Sequence, residues 1–221
     1  MSSLQVIPFT DETPGEAPVR GTLHRAPGSS GNFLVLTHGA SGNSGAALLV
    51  TVAQAFASTG ISVLRCDLPY RQRRPHGPPS PGNAAEDQEG LRRALILMKG
   101  LFAGRGFLGG SSYGGRQASL LAAPQPGLIE GLLLLSYPLH PPGKPTQLRT
   151  AHFSQLRTPS LFISGTRDAF GTIAELQAAI KLIPARTDFA AIEGGSHGLC
   201  KPGSAQAVAA VVRKRFADFF G

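Results

Sequence analysis

Short apolar segments alternate along the chain with longer segments whose apolar residues recur at helical spacing. Nearly continuous apolar runs predict strands that are buried on both faces of a sheet. Helical segments separate most of these runs, which is the pattern of a parallel sheet with helices on both faces. The predicted strands are Gln5–Phe9, Val19–His24, Phe33–Thr37, Ile61–Arg65, Arg105–Gly109, Ile129–Leu135, Ser160–Ser164 and Thr187–Ile192.

The segments between the strands predict about six helices. No helix separates the first two strands, so we expect them to form an antiparallel pair. The segment 68–82 contains five prolines and is expected to be irregular, with Asn83 capping the helix that follows it. The chain therefore predicts an α/β fold: one domain, residues 1–221, with a doubly wound, mostly parallel sheet of eight strands. The predicted helices are Ser44–Ser58, Ala84–Leu101, Tyr113–Ala122, one turn within Thr150–Leu156, Ile173–Leu182 and Ser204–Phe219.

The composition favours a folded protein that does not span a membrane. Hydrophobic residues make up 42% of the 221 residues and charged residues 15%, which suits a compact core. No apolar run reaches the roughly 18–20 residues that a membrane span needs, and residues 1–5 do not begin a signal peptide. We therefore expect a soluble, cytoplasmic protein. Cys66 and Cys200 are too few for a disulfide scaffold, and we expect reduced thiols, with Cys66 in the core.

The net charge of +8 raises the question of a polyanionic partner. The basic residues are scattered, and the densest group is Arg71, Arg73 and Arg74, with no aromatic platform beyond Tyr70. The chain contains no nucleic-acid-binding motif. A solvated basic surface is therefore favoured over a specific nucleic-acid site.

The segment from Gly106 to Gly115 combines a short apolar run with two glycines, two serines and two further glycines. Within it, residues 110–114 match Gly-x-Ser-x-Gly with Ser112 at the centre. This is the pattern of a nucleophile elbow, a strand-to-helix turn that holds a serine hydroxyl above a sheet. Glycine and serine are common, so the pattern by itself is also that of an ordinary turn.

A serine nucleophile needs a base that takes its proton and a third group that orients the base. In folds with a nucleophile elbow, these residues follow in the order Ser, then Asp or Glu, then His. Asp168 comes just past the predicted strand Ser160–Ser164, and His197 lies in a glycine-rich loop after the last predicted strand. We therefore predict that Ser112, Asp168 and His197 form a catalytic triad at the carboxyl edge of the sheet.

Each of these residues also has an ordinary alternative. Asp168 alone could cap the helix that begins near residues 171–173, and His197 alone could be a loop histidine. Asp188 and Glu193 are rival acids, but Asp188 falls at the start of a strand and Glu193 is close in sequence to His197. The joint order of elbow, acid and histidine favours the triad.

The negative charge that develops on a substrate oxygen needs backbone N–H donors. The residue after the nucleophile, Tyr113, is one expected donor, at the start of a helix. The second should come from the loop after the strand Phe33–Thr37. We predict Ala40 for this role, with Ser41 as the second choice, and expect His38 to shape the loop.

These segments resemble those of the α/β-hydrolases, and in particular small dienelactone-hydrolase-like members without a large cap domain. The resemblance spans nearly the whole chain and includes the His38–Ala40 loop, the elbow, and segments 165–171 and 194–197. A closer likeness is to a subgroup that shares segments such as Arg65–Arg71 and Tyr137–Lys144. The resemblance implies the α/β-hydrolase fold and the triad. It does not imply a substrate, because dienelactone hydrolases proper use a cysteine nucleophile where this chain has Ser112.

The loop Pro69–Gly82 and the connection Tyr137–Leu156 each follow a strand at the predicted catalytic edge, so we expect them to wall the pocket. Their basic residues could select an anionic substrate or be solvated side chains. The predicted substrate-binding residues are Tyr70, Arg71 and Arg74, and the further basic residues considered for the pocket mouth are Arg73, Lys144 and Arg149.

The expected function is that of a serine hydrolase that cleaves an ester, a thioester or an amide of a small molecule through an acyl-enzyme. No metal or organic cofactor is implied by these residues. The alternative is a binding or scaffold protein that uses the same fold without catalysis. The oligomeric state stays open.

Overall fold

The computed structural model describes residues 3–28, 30–200 and 203–221. These residues form one sheet of eight strands in the order β1-β2-β4-β3-β5-β6-β7-β8. The strands β1 and β2 are antiparallel to their neighbours, and the other six run parallel. The strands are β1 (Gln5–Asp11), β2 (Val19–Arg25), β3 (Phe33–Thr37), β4 (Ser62–Asp67), β5 (Gly106–Ser111), β6 (Gly131–Leu135), β7 (Ser160–Gly165) and β8 (Thr187–Ile192).

Helices cover both faces of the sheet, as the sequence predicts, and no large cap domain is inserted within the described residues. Residues of α1 and α6 pack in one hydrophobic cluster, and residues of α3, α4 and α5 pack in the other. The helices are α1 (Ala47–Ala57), α2 (Pro69–Arg73), α3 (Ala84–Leu101), α4 (Tyr113–Ala122), α5 (Ile173–Ile180) and α6 (Ala205–Phe220), with 3₁₀ turns at Pro81–Asn83 and Phe153–Gln155.

Strand β3 shows why the central strands read as continuous apolar runs. Successive side chains of a strand point to opposite faces of the sheet. Phe33 and Val35 accordingly belong to one cluster, and Leu34 and Leu36 belong to the other. All four are fully buried, so both faces of this strand are apolar and its sequence shows no alternation of polar and apolar residues.

The proline-rich segment 68–82 is more regular than the sequence analysis predicts. It contains α2, which begins at Pro69, and the 3₁₀ turn that begins at Pro81. Proline suits the first position of a helix because the N–H that it lacks would have no helical partner there. Asn83 occupies the predicted N-cap position of α3, but its side chain makes no capping bond to this helix, because its oxygen accepts hydrogen bonds from the backbone and hydroxyl of Ser80.

Two further expectations can be compared with the structure. Within the described residues, no helix is both long and apolar enough to cross a membrane. Both cysteines are free thiols, and Cys66 lies in the core as predicted. Burial raises the pKa of the Cys66 thiol to about 12, so this side chain acts as a small apolar group.

Candidate active site

The chain makes a strained turn at Ser112, between the end of β5 and the start of α4. Ser112 has φ 50° and ψ −116°, a conformation that residues with a side chain rarely adopt. Its N–H donates to the carbonyl of Leu135 over 2.8 Å, and its carbonyl accepts from the N–H of Arg116 over 3.0 Å. These bonds to β6 and α4 hold the turn, and they confirm the predicted strand-to-helix geometry.

The glycines on either side of Ser112 are required by close backbone contacts. A Cβ atom at Gly114 would lie 2.5 Å from the carbonyl oxygen of His38. A Cβ atom at Gly110 would lie 2.7 Å from the backbone of both Gly114 and Gly115. The two glycines of the Gly-x-Ser-x-Gly pattern are therefore required because strand and helix approach too closely at these positions for a Cβ atom.

The structure brings the three residues of the predicted triad together. Ser112 follows β5, Asp168 follows β7 and His197 follows β8, all at the carboxyl edge of the parallel strands. The Nε2 atom of His197 lies 2.7 Å from the Ser112 Oγ atom. Its Nδ1 atom lies 2.9 Å from both carboxylate oxygens of Asp168. The three side chains thus form a continuous hydrogen-bonded series.

These partners determine where the imidazole proton lies. An ionised carboxylate can only accept, so Nδ1 of His197 carries the proton that faces Asp168. Nε2 is then free to accept the hydroxyl proton of Ser112. The Asp168 side chain is 1% exposed, whereas that of His197 is 25% exposed. The acid is thus shielded from water, and the imidazole reaches the solvent-accessible side.

Phe170 was not identified from the sequence as part of this site. Its ring stacks on the His197 imidazole with 3.9 Å between centroids and 25° between planes. Its N–H donates to Asp168 Oδ1 over 2.8 Å. Phe170 therefore fixes the orientation of both the imidazole and the carboxylate. Its position two residues after Asp168 gives no signal of this contact.

The loop after β3 approaches Ser112 from the other side. Nδ1–H of His38 donates to the carbonyl of Gly39 over 2.8 Å, and its Nε2 accepts from the N–H of Leu68 over 3.1 Å. Burial lowers the pKa of His38, which is consistent with a neutral ring that uses both nitrogens in this way. The expectation that His38 shapes the loop is confirmed.

Tyr113 and Ala40, the two predicted oxyanion donors, line the same cleft as Ser112. The N–H groups of Tyr113 and Ala40 make no hydrogen bond with another described residue. Ser41, the second choice, also lines the cleft. Two unused amides beside a serine hydroxyl are the arrangement that a developing negative charge requires.

The structure gives the predicted substrate-binding residues Tyr70, Arg71 and Arg74 other partners, and none of the three lines the cleft. The Tyr70 hydroxyl donates to the carbonyl of Ala40 over 2.8 Å. The exposed Arg74 donates to the carbonyl of Pro78. The prediction is corrected by these contacts, since the side chains hold the cleft walls instead of facing a substrate.

Arg71 is the most heavily bonded of the three and is only 5% exposed. Its guanidinium stacks on the Tyr70 ring at 5.0 Å from the centroid. Its side chain donates to four backbone carbonyls, which belong to Ala40 (3.1 Å), Gly42 (2.8 Å), Arg74 (3.0 Å) and Gly77 (2.9 Å). These bonds join the loop after β3 to the loop after α2.

Asp87 is a further residue next to the site that was not identified from the sequence as part of it. It lies in the first turn of α3, near the positive end of the helix. In the structure it is fully buried and accepts from the backbone N–H of Tyr70 (3.1 Å) and the hydroxyl of Tyr113 (2.7 Å). Burial raises the pKa of Asp87 above its usual range. Asp87 thus links α3 to the residue that follows Ser112.

The triad opens on a cleft of about 760 Å³. Both predicted walls contribute to it, through Pro78, Pro79 and Pro81 on one side and Pro138 and Arg149 on the other. Its size is that of sites which bind small molecules. Within the described residues, no group of three or more His, Cys, Asp or Glu side chains is arranged to hold a metal ion.

The fold and this site define a class of protein. An open, mostly parallel sheet carries a strained serine turn, an acid and a histidine at its carboxyl edge. A sequence model of the alpha/beta hydrolase domain family matches residues 30–219. The chain belongs to the α/β-hydrolase family.

Solved structures share this fold over almost the whole chain. A dienelactone hydrolase from Anabaena variabilis ATCC 29413 has 20% identity and a TM-score of 0.77, covering 99% of each chain. An α/β serine hydrolase without a lid from Xanthomonas campestris has 16% identity and a TM-score of 0.77, covering 98% of this chain and 95% of that one. An esterase domain from a Rhodothermus marinus protein has 16% identity and a TM-score of 0.71, covering all of both chains.

Proposed function

We propose that this protein is a serine hydrolase that cleaves an ester of a small molecule through an acyl-enzyme. The observation that carries the proposal is the hydrogen-bonded series from Ser112 through His197 to Asp168 at the wall of the cleft. Membership of the α/β-hydrolase family supports a hydrolytic reaction. A thioester or an amide would follow the same chemistry.

In the first half of the reaction, Ser112 Oγ attacks the carbonyl carbon while Nε2 of His197 takes the hydroxyl proton. Asp168 accepts the hydrogen bond from Nδ1 and stabilises the imidazolium that forms. The N–H groups of Tyr113 and Ala40 bind the oxyanion of the tetrahedral intermediate. His197 then donates its proton to the leaving alcohol, and the acyl group remains on Ser112.

In the second half, a water molecule replaces the alcohol. His197 takes a proton from this water, which attacks the acyl carbonyl, and the same amides bind the new oxyanion. Collapse of the intermediate returns the proton from His197 to Ser112 Oγ and releases the carboxylic acid. The Phe170 ring keeps the imidazole in one plane through both transfers, because it stacks on one face of the ring.

A fluorophosphonate probe and 4-nitrophenyl butyrate together test this proposal. We expect covalent labelling and ester hydrolysis by the wild type, and the loss of both in Ser112→Ala. The neighbouring serine provides a matched control, because Ser111 also lines the cleft and has the same hydroxyl. Ser111→Ala should keep labelling and hydrolysis. A folded wild type that is neither labelled nor active would refute the proposal and favour the binding or scaffold alternative.

A further inference from the structure

The formal charges that line the cleft are all of one sign. Arg116 and Arg149 contribute to its walls, whereas no Asp or Glu among the described residues does so. Neither arginine forms an ion pair with a described carboxylate. Solvated arginines on an open surface need no partner, but these two share a concave, mostly apolar site with the triad.

Arg116 lies three residues after Tyr113 on the same side of α4, one helical turn from the serine turn. Its guanidinium makes no hydrogen bond to a described residue, and its Nε atom is buried without a partner. Arg149 has one long hydrogen bond, from Nη1 to the Pro138 carbonyl at 3.4 Å. Most donors of these two guanidinium groups are therefore unused.

The main chain holds Arg149 firmly even though its side chain is almost unbonded. Its N–H donates to the carbonyl of Leu139 over 2.8 Å, and its carbonyl accepts from the Tyr137 hydroxyl over 2.6 Å. The connection between β6 and β7 is thereby fixed at this residue. A fixed backbone that carries an unpaired cation is the arrangement of a preorganised binding group.

Gln117, next to Arg116, adds a third unused donor to the cleft. Its side chain is fully buried, and its Oε1 accepts from Nε2 of Gln88 over 3.0 Å. That bond leaves the amide NH₂ of Gln117 facing no acceptor, and its Nε2 atom is buried and unpartnered. A buried donor without a partner destabilises the protein, and a bound acceptor would remove that cost.

The electrostatics of the cleft point to the same kind of ligand. Burial lowers the pKa of Arg149, and the charge of Arg116 lowers it further. Two like charges in a site of reduced polarity destabilise each other. A bound anion would remove that repulsion and use the free donors at the same time, and planar guanidinium groups match a carboxylate with two parallel hydrogen bonds.

We infer that Arg116, Arg149 and the amide of Gln117 form a carboxylate-binding subsite. The preferred substrate is then an ester that also carries one ionised carboxylate. This inference rests on the proposed hydrolase function. The sequence suggests that Arg71 and Arg74 could select an anionic substrate, but their guanidinium groups bind carbonyls. Of the basic residues considered for that role, only Arg149 belongs to the inferred subsite.

A pair of esters that differ only in charge tests the inference. The 4-nitrophenyl monoester of glutaric acid carries a free carboxylate, and its methyl ester is neutral. We expect wild-type kcat/KM to be at least about 10-fold higher for the acid. Arg116→Gln and Arg149→Gln should each lower kcat/KM for the acid by about 10- to 100-fold. The ratio of kcat/KM for the acid to kcat/KM for the methyl ester should also fall by about 10-fold or more in each variant.

Arg157→Gln is the matched control for these variants. Arg157 is exposed and outside the cleft lining, and the substitution changes the net charge by the same amount. It should leave the preference for the acid unchanged. A wild type that prefers the methyl ester would overturn the inference, and so would equal losses for both esters in the cleft variants.

A binding measurement separates this inference from the proposed function. Glutarate titrated into the wild type by calorimetry should bind at least about 10-fold more tightly than to Arg116→Gln. If neither ester is cleaved and Ser112 is not labelled, the proposed hydrolase fails, and the titration still decides the subsite. Equal binding of glutarate to the wild type and Arg116→Gln, or no binding to either, would overturn the subsite.

Discussion

Replacing Arg71 with methionine should uncouple the loop that carries Ala40 from the loop after α2. Methionine replaces the side chain only as far as Nε, so it keeps the apolar stem but cannot donate to the four carbonyls that the guanidinium binds. The Ala40 carbonyl would keep only its bond from the Tyr70 hydroxyl. The substitution therefore removes the hydrogen bonds and the guanidinium stacking on Tyr70, and keeps the packing of the stem.

The size of the effect follows from the number of bonds and the cost of burying the charge. Hydrogen bonds from a charged donor contribute about 1.5–3 kcal/mol each, so four at the lower end contribute about 6 kcal/mol. Arg71 is buried without an ion-pair partner among the described residues, and its desolvation offsets several kcal/mol of this gain. We expect Arg71→Met to lower the free energy of unfolding by about 2–4 kcal/mol.

Urea unfolding at pH 7 measures the stability, and 4-nitrophenyl butyrate measures the activity. We expect kcat to fall by about 10-fold or more, because Ala40, a proposed oxyanion donor, lies on the released loop and each such donor contributes about 10²–10³ in rate. Arg73→Met is the matched control on the same helix. Arg73 is 53% exposed and pairs with Glu86, so its loss should cost no more than about 1 kcal/mol. The reasoning is refuted if both variants unfold alike and retain full activity.

Three further substitutions test other parts of the structure. Asp168→Asn places a donor against the imidazole and reverses its tautomer, so kcat for 4-nitrophenyl butyrate should fall by about 10³–10⁴ with unchanged thermal unfolding. Gly114→Ala puts a Cβ atom 2.5 Å from a backbone oxygen and should cost about 2–4 kcal/mol in urea unfolding, whereas Gly100→Ala, with open space and a helical position, should stabilise by up to about 1 kcal/mol. Burial lowers the pKa of His152 from 6.5 to about 4, so its stabilising contribution is complete above pH 6.5 and is lost as the pH falls toward 4. Between pH 7 and pH 5 the wild type should lose about 1–2 kcal/mol more than His152→Gln in urea unfolding, and equal losses would contradict the assignment.

Periodicity predicted several elements with their observed bounds, because local pattern and tertiary burial agree there. Strand β3, helix α4 and strand β8 are examples. Strand β5 ends two residues later than predicted, since Gly110 and Ser111 pair with Leu134 and Leu135 of β6. Glycine weakens an isolated strand, so pairing with the neighbouring strands explains this extension.

The start of helix α1 also depends on contacts that are distant in the sequence. The sequence predicts a start at Ser44, but the helix begins at Ala47. The N–H of Ser44 donates to Asp67 over 2.6 Å, and its carbonyl accepts from Arg65. Both partners lie on β4, more than 20 residues away, and no local pattern reveals them.

In the candidate site, too, some residues could be predicted from local sequence and others could not. The order of Ser112, Asp168 and His197 along the chain indicates that they meet, because each follows its own parallel strand. The contacts of Asp87 and Arg71 depend instead on which side chains become buried. The sequence predicts a substrate-binding role for Arg71 and no particular role for Asp87, because no local pattern shows that either side chain is buried.

The hydrogen bond between Ser112 and His197 joins residues that are 85 positions apart in the chain. It cannot form until β5, β6, β7 and β8 have paired in sequence, since the two side chains lie at the ends of strands that are three positions apart in the sheet. Pairing of distant strands is a slow part of folding. The proposed reactivity of Ser112 would therefore report on folding: brief pulses of fluorophosphonate during refolding would measure when this half of the sheet is complete.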